Sequence, residues 1–129
     1  MKEKDQMLIT LRTLALDRTA VAIMREDLIR IDEDMKKELP DMQREALEKE
    51  RVQLQSCLSV TEHRIERVER IMSLLQPDER EVLERMIINP YPEVVFDLAQ
   101  ELSCETSRVY RIRARALSKL VRLRYGAGE

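Results

Sequence analysis

The sequence predicts an all-α protein, because its composition suits exposed helices and its apolar residues recur with helical spacing. Charged residues make up 37% of the 129 residues and aromatic residues only 3%, with no Trp and two Gly. This balance favours long solvated helices over a thick core. An apolar seam early in the chain steps by three or four residues, the period of one helix face. Its members are Val21, Met24, Leu28, Ile31 and Met35.

Two prolines, Pro40 and Pro77, divide the chain into three blocks, since each disfavours helix at the residue before it. Each of the first two blocks predicts a helix of roughly 30 residues and about 45–50 Å. The second block repeats the seam with Leu47, Leu54, Leu58, Ile65, Val68, Met72 and Leu75. Neither seam is wide enough to be buried alone, so residues 1–75 are predicted to form a long antiparallel, coiled-coil-like hairpin. We expect this hairpin to serve as a scaffold, a spacer or a homo-oligomerisation arm, with a bend at Asp17-Arg18-Thr19.

The third block, residues 76–129, predicts short helices separated by turns. The first runs from Asp78 to Ile88, with acidic residues in its first turn, where the helix dipole favours them. Asn89-Pro90-Tyr91-Pro92 forces a loop before a second helix from Glu93 to Leu102. Ser103-Cys104-Glu105 is the predicted turn into the last helix, which Thr106 or Ser107 can cap through its hydroxyl.

Charge is distributed unevenly along this third block, although the net charge of the whole chain is only −2. Residues 77–105 carry eight acidic side chains and two basic ones, whereas residues 106–128 carry no acidic and seven basic side chains. Concentrated positive charge at one end of an otherwise acidic chain is typical of a surface that binds a polyanion.

The basic residues of the last helix, residues 106–122, cluster on one face. At about 100° per residue, an arc of roughly 80° contains Arg108, Arg111, Arg115, Lys119 and Arg122. Major-groove geometry predicts that Thr106, Ser107, Arg108 and Arg111 lie near base edges. Arg115, Lys119 and Arg122 are predicted to reach phosphates. Two interpretations remain open for Tyr110. Its side chain either stacks or bonds a phosphate, or it packs, partly buried, within the protein.

The segment from Val95 to Leu120, opened by Asp78-Glu-Arg-Glu-Val-Leu83, resembles region 4 of sigma-70-type factors. That resemblance implies a helix-turn-helix that recognises duplex DNA. It covers about the last two-fifths of the chain, and it departs from the family pattern where Ser103 replaces the usual turn glycine and Cys104 a buried aliphatic residue. The whole layout is more similar to the small phage and prophage regulators of the ArpU-like type, which implies transcriptional control of phage genes.

We therefore expect a sequence-specific DNA-binding transcription regulator, encoded by a phage or prophage, whose partner is double-stranded DNA. Two alternatives remain open. One is a phage DNA-packaging recognition subunit, which ring-shaped oligomers would favour over dimers. The other is an adaptor that contacts RNA polymerase or a sigma factor without reading DNA itself.

An enzyme is not expected, because the sequence has no Gly-rich phosphate loop, nucleophile elbow or metal-spaced ligand set, and it implies no cofactor. The single histidine, His63, lies among charged residues of the predicted hairpin. Cys57 and Cys104 are expected to be reduced, largely buried thiols. No apolar run reaches the length of roughly 20 residues that spans a bilayer, and the N-terminus does not resemble a signal peptide, so a cytoplasmic protein with no membrane contact is predicted.

Overall fold

The protein is built entirely from helices over residues 2–126, the part of the chain that the computed structural model describes, which confirms the predicted fold class. Two long antiparallel helices, packed together, are followed by shorter ones. The elements are α1 (Lys2–Met35), α2 (Asp41–Met72), α3 (Pro77–Leu83), a π-helical segment (Glu84–Ile88), α4 (Val94–Glu101) and α5 (Thr106–Tyr125).

The chain forms two compact units, and both long helices contribute to each. The hairpin unit is Leu16–Glu66, and the C-terminal unit combines the residues up to Ala15 with those from Arg67 onward. Each unit consists of residues that lie close together in space. The sequence-based division between residues 75 and 76 instead separates two consecutive segments of the chain. That division stays a prediction.

In the hairpin unit, a buried carboxylate connects α1 and α2. Val21 and Ile31 of α1 are buried as the seam predicts. Asp17 is only 8% exposed and accepts hydrogen bonds from Arg64 Nε at 3.1 Å and Arg64 Nη2 at 3.0 Å. Helix α1 is continuous through Asp17-Arg18-Thr19, where the sequence predicted a bend, so the helix is not broken there. A bidentate guanidinium satisfies the charge of Asp17 at this buried position.

The turn between α1 and α2 is closed by Arg44. Its Nη1 donates to the Met35 carbonyl and its Nη2 to the Lys37 carbonyl, both at 3.0 Å. Carbonyls at the end of a helix have no partner within the helix itself. Arg44 therefore satisfies the last carbonyl of α1 and one carbonyl of the turn, at the point where the chain reverses.

Every helix of the C-terminal unit buries apolar side chains. The first turns of α1 bury Met7, Leu11 and Leu14 almost completely, and Tyr125 Oη of α5 lies 3.3 Å from Gln6 Oε1. Helix α5 packs against α3 and α4 and buries Val109, Ile112, Ala116, Leu117 and Leu120. Leu123, three residues after Leu120, is exposed.

Two further expectations need correction. The helix predicted from Asp78 to Ile88 changes from α- to π-helical at Glu84, and the Asn89 amide donates to Glu84 Oε2 at 2.8 Å just after that segment. Both cysteines are free thiols, but Cys57 is exposed and Cys104 only partly buried.

None of the helices between residues 2 and 126 has the length and apolar character needed to cross a membrane.

Candidate nucleic-acid interface

Helices α4 and α5 form a helix-turn-helix whose turn depends on a left-handed residue. Four residues, 102–105, separate the two helices. Ser103 adopts φ +52°, and the Cys104 N–H donates to the Ala99 carbonyl at 2.9 Å. This geometry is the usual way for a helix to end and turn, although glycine normally supplies the positive φ. Ser103 therefore adopts the conformation that its place in the motif requires.

A small apolar cluster fixes the relative position of α3, α4 and α5. Its buried members are Val82, Leu98, Ala99, Val109 and Ile112. Cys104 packs against this cluster together with Met86, Val94, Val95 and Leu102. The thiol thus fills the place of an aliphatic side chain in the turn, as free cysteines often do.

The N-terminus of α5 differs from the prediction. The N-cap residue is Glu105, with extended backbone (φ −81°, ψ 156°), and no side chain caps the helix. Thr106 and Ser107 were expected to cap α5, but the chain is already helical at Thr106, and a capping side chain belongs to the residue before the first helical one. Both residues are exposed in the first turn.

Four of the five arginine and lysine side chains in the predicted arc are exposed on α5, and three of these four belong to no ion pair that the structure describes. These three are Arg108, Arg111 and Arg122. Over residues 2–126, no carboxylate forms an ion pair with any of them. Tyr110 is also exposed, so the packing interpretation of this side chain does not hold within the chain.

The other two basic residues of the arc, Arg115 and Lys119, face a carboxylate of the protein itself. Arg115 Nε donates to Glu79 Oε2 at 2.7 Å, and Lys119 Nζ lies 2.9 Å from Glu79 Oε2 and 3.1 Å from Oε1. Arg115 Nη2 also lies 3.4 Å from Asp78 Oδ2. The structure therefore divides the predicted arc into three exposed arginines without an ion pair and two internally paired residues.

Glu79 is completely inaccessible to solvent, and its pKa shows how strongly it is held. Burial by itself would raise the pKa of this carboxyl. Hydrogen bonds from Lys119, from the Gln76 N–H at 2.9 Å and from Arg115 more than compensate and lower the pKa to about 2. The same hydrogen bonds to Glu79 raise the pKa of Arg115.

Sequence reasoning missed the role of Glu79, although one local signal was present. Glu79 stands three residues after Gln76, the spacing at which a side chain reaches back to the first N–H of a helix. This spacing explains the bond to Gln76. It carries no information about α5, whose partners lie 36 and 40 residues further along the chain.

A second ion pair, also missed, holds the loop before α4. Arg85 donates to Glu101 Oε1 at 2.6 Å and Oε2 at 2.8 Å, and its Nη2 lies 2.5 Å from Tyr91 Oη. The hydrogen bond to Glu101 and the one to Tyr91 raise the pKa of Arg85, and the hydrogen bond from Arg85 lowers the pKa of Glu101. These contacts connect both ends of the α4 region to the helix before it.

The part of the chain that the structure describes brings together no group of three or more His, Cys, Asp or Glu side chains able to hold a metal ion. Comparison with known proteins adds no assignment, since no protein-family model, curated protein or solved structure matches this chain.

Proposed function

We propose that this chain is a sequence-specific DNA-binding transcription regulator, of the small phage or prophage type that its sequence resembles, and that α5 lies in the major groove. The observation that carries the proposal is the exposed set of Arg108, Arg111 and Arg122 on the second helix of a helix-turn-helix. Arginines on one face without a carboxylate partner repel one another, so an external polyanion stabilises them.

The roles differ along α5. Residues at the N-terminus of a recognition helix approach base edges, where the guanidinium of Arg108 or Arg111 can donate two hydrogen bonds to guanine. Thr106 and Ser107 are available there as well, because neither hydroxyl caps the helix. Arg122, three to four turns further along, is placed for phosphate contact. Arg115 and Lys119 could contact phosphates only by exchanging Glu79 for them.

Selection of binding sites from random duplex DNA, followed by affinity measurement at several salt concentrations, tests this proposal. Arg111→Ala should weaken binding to the selected site by about 1–3 kcal/mol and relax the preference for one base pair. Arg12→Ala is the matched control, since it removes an exposed arginine from α1, outside the helix-turn-helix. Equal effects of the two substitutions, or equal affinity of parent and Arg111→Ala for random DNA, would reject α5 as the reading helix.

Homo-oligomerisation through the hairpin is part of the same proposal. The hairpin unit exposes large apolar side chains that a second copy could cover, among them Leu16, Ile23, Met42, Val52 and Val60. A regulator of duplex DNA commonly binds as a symmetric dimer to two half-sites. The mass of the protein in solution tests this directly: a dimer supports the arm, a ring-shaped oligomer favours the packaging-subunit alternative, and a monomer excludes both.

The adaptor alternative also has an observation in its favour. Phe96, the single Phe of the chain, is 69% exposed on α4, and exposed aromatic residues are common at protein–protein contacts. An RNA polymerase adaptor would lose binding to polymerase on Phe96→Ala and would show no salt-dependent affinity for duplex DNA. A DNA reader would keep that salt dependence. Either function operates where transcription occurs, which makes the cytoplasm the compartment that the proposal implies.

A further inference from the structure

Glu79 is the most unusual ionisable residue of the protein. It lies in the first turn of α3, no part of it reaches solvent, and its charge is retained by three donors. Carboxylates in such surroundings are kept only when they are paired and hydrogen-bonded. Its hydrogen bond to the Gln76 N–H explains the helix start, but not why two cations of α5 converge on the same group.

Those two cations differ from the rest of the α5 face in what they can offer. The side chains of Arg115 and Lys119 remain 48% and 44% exposed, so solvent reaches them. Their charge is nevertheless balanced by Glu79 and, for Arg115, by Asp78 as well. A phosphate approaching Arg115 or Lys119 therefore has to compete with a carboxylate that is already desolvated, whereas Arg108, Arg111 and Arg122 offer an uncompensated charge.

We infer that Glu79 sets the number of cations that α5 presents to DNA, by holding Arg115 and Lys119 as internal partners. In this arrangement Glu79 is a positioning residue. It reduces sequence-blind attraction to phosphates, and it leaves the contact to the exposed arginines, of which Arg108 and Arg111 stand where base edges are read. This inference rests on the proposed function.

Salt dependence measures the number of phosphates that the protein neutralises, because each contact releases condensed counterions. We therefore expect the affinity of Glu79→Gln for random duplex DNA to fall more steeply with added salt than the affinity of the parent does. If both freed cations reach phosphates, the ratio of the affinities at 50 and 200 mM salt rises by about tenfold. Preference for the selected site over random DNA falls, because the new contacts carry no sequence information.

Glu48→Gln is the matched control, since it makes the same change in net charge at an exposed residue of α2 for which no ion pair is found in residues 2–126. Its salt dependence should equal that of the parent. Circular dichroism establishes that the variants are folded under the binding conditions. A folded Glu79→Gln with the parent's salt dependence overturns the inference.

A second comparison does not require Glu79→Gln to fold. Arg122→Ala should lower the number of counterions released on binding, measured from the salt dependence, by about one relative to the parent. Lys119→Ala leaves Glu79 paired with Arg115 and should lower that number by far less than one. Equal losses from the two substitutions would show that Lys119 already contacts phosphate and would overturn the inference. A parent protein without any salt-dependent duplex binding would instead contradict the proposed function itself. Failure of the inference about Glu79 and failure of the proposed function therefore give different results.

Discussion

Among residues 2–126, each compact unit has one nearly inaccessible carboxylate, and the two are held differently. Asp17 of the hairpin unit is held by Arg64, whose side chain is 54% exposed. Glu79 of the C-terminal unit has two basic partners from α5 and a backbone N–H. The first pair connects two antiparallel helices. The second also removes charge from the surface that we propose contacts DNA, so the same chemistry fixes helix register in one unit and surface electrostatics in the other.

The largest expected effect comes from neutralising each carboxylate in turn. Glu79→Gln should lower the free energy of unfolding by about 3 kcal/mol, because the ionised carboxyl that two cations and a backbone N–H stabilise, with a pKa of about 2, is removed. Asp17→Asn should lower it by about 1 kcal/mol, since Arg64 is free to hydrate. Urea unfolding followed by far-UV circular dichroism checks both values.

Tyrosine fluorescence tells the units apart in this experiment. The chain has three Tyr and no Trp, and Tyr91, Tyr110 and Tyr125 all belong to the C-terminal unit. Glu79→Gln should shift the fluorescence transition at least as far as the dichroism transition. If Asp17→Asn proves more destabilising than Glu79→Gln, the comparison between the two carboxylates is wrong.

Acid should remove the contribution of Glu79 in a defined range of pH. Its pKa is about 2 in the folded protein and about 4.3 in an unfolded chain. The stabilisation is complete above the unfolded value and is lost as the pH falls through the folded one, amounting to about 3 kcal/mol. Parent and Glu79→Gln should therefore converge in stability between about pH 4.5 and pH 2, as measured by urea unfolding at each pH. A constant difference across that range would contradict the assignment.

Within the hairpin unit, Arg44→Ala should lower the free energy of unfolding by about 1–2 kcal/mol, because the Met35 carbonyl at the end of α1 and the Lys37 carbonyl of the turn each lose a donor. The effect should be visible first in far-UV circular dichroism at low urea, before tyrosine fluorescence changes. Simultaneous loss of both signals would show that the two units unfold together. The two units would then differ in their contacts but would have no separate stabilities.

The smallest effect is expected at the turn of the helix-turn-helix. Ser103→Gly should raise the free energy of unfolding by about 0.5 kcal/mol, because relief of the left-handed backbone outweighs the greater freedom of glycine in the unfolded chain. Ser103→Val should lower it, since a β-branched side chain tolerates positive φ poorly. Thermal melting of the two variants and the parent shows whether each substitution raises or lowers the stability.

Much of the fold could be predicted because helices leave a local record in the sequence. The spacing of Val21 and Ile31, the breaks at Pro40 and Pro77, and the turn at Ser103 all depend on residues within a few positions of one another. The helix cap was predicted one or two residues too late, at Thr106 or Ser107, because several polar residues follow one another and each can cap a helix. Glu105, which occupies the N-cap, makes no capping hydrogen bond through its side chain.

The division of the basic arc could not be predicted in this way. Periodicity places Arg108, Arg115 and Lys119 on one face, and it does so correctly. It cannot say that a carboxylate 36 residues earlier in the chain meets Arg115, because that meeting depends on how α3 packs against α5. The same limit applies to Asp17 and Arg64, which are separated by 47 residues. Long-range ion pairs require the tertiary structure.

The exposed thiol of Cys57 has a practical consequence for the measurement of oligomeric state. Exposed thiols of two molecules can oxidise to an intermolecular disulfide during storage in air. Such a covalent dimer would have the mass expected of a biological one and would be joined through α2. Cys57→Ser, or a reducing agent kept throughout, removes this artefact.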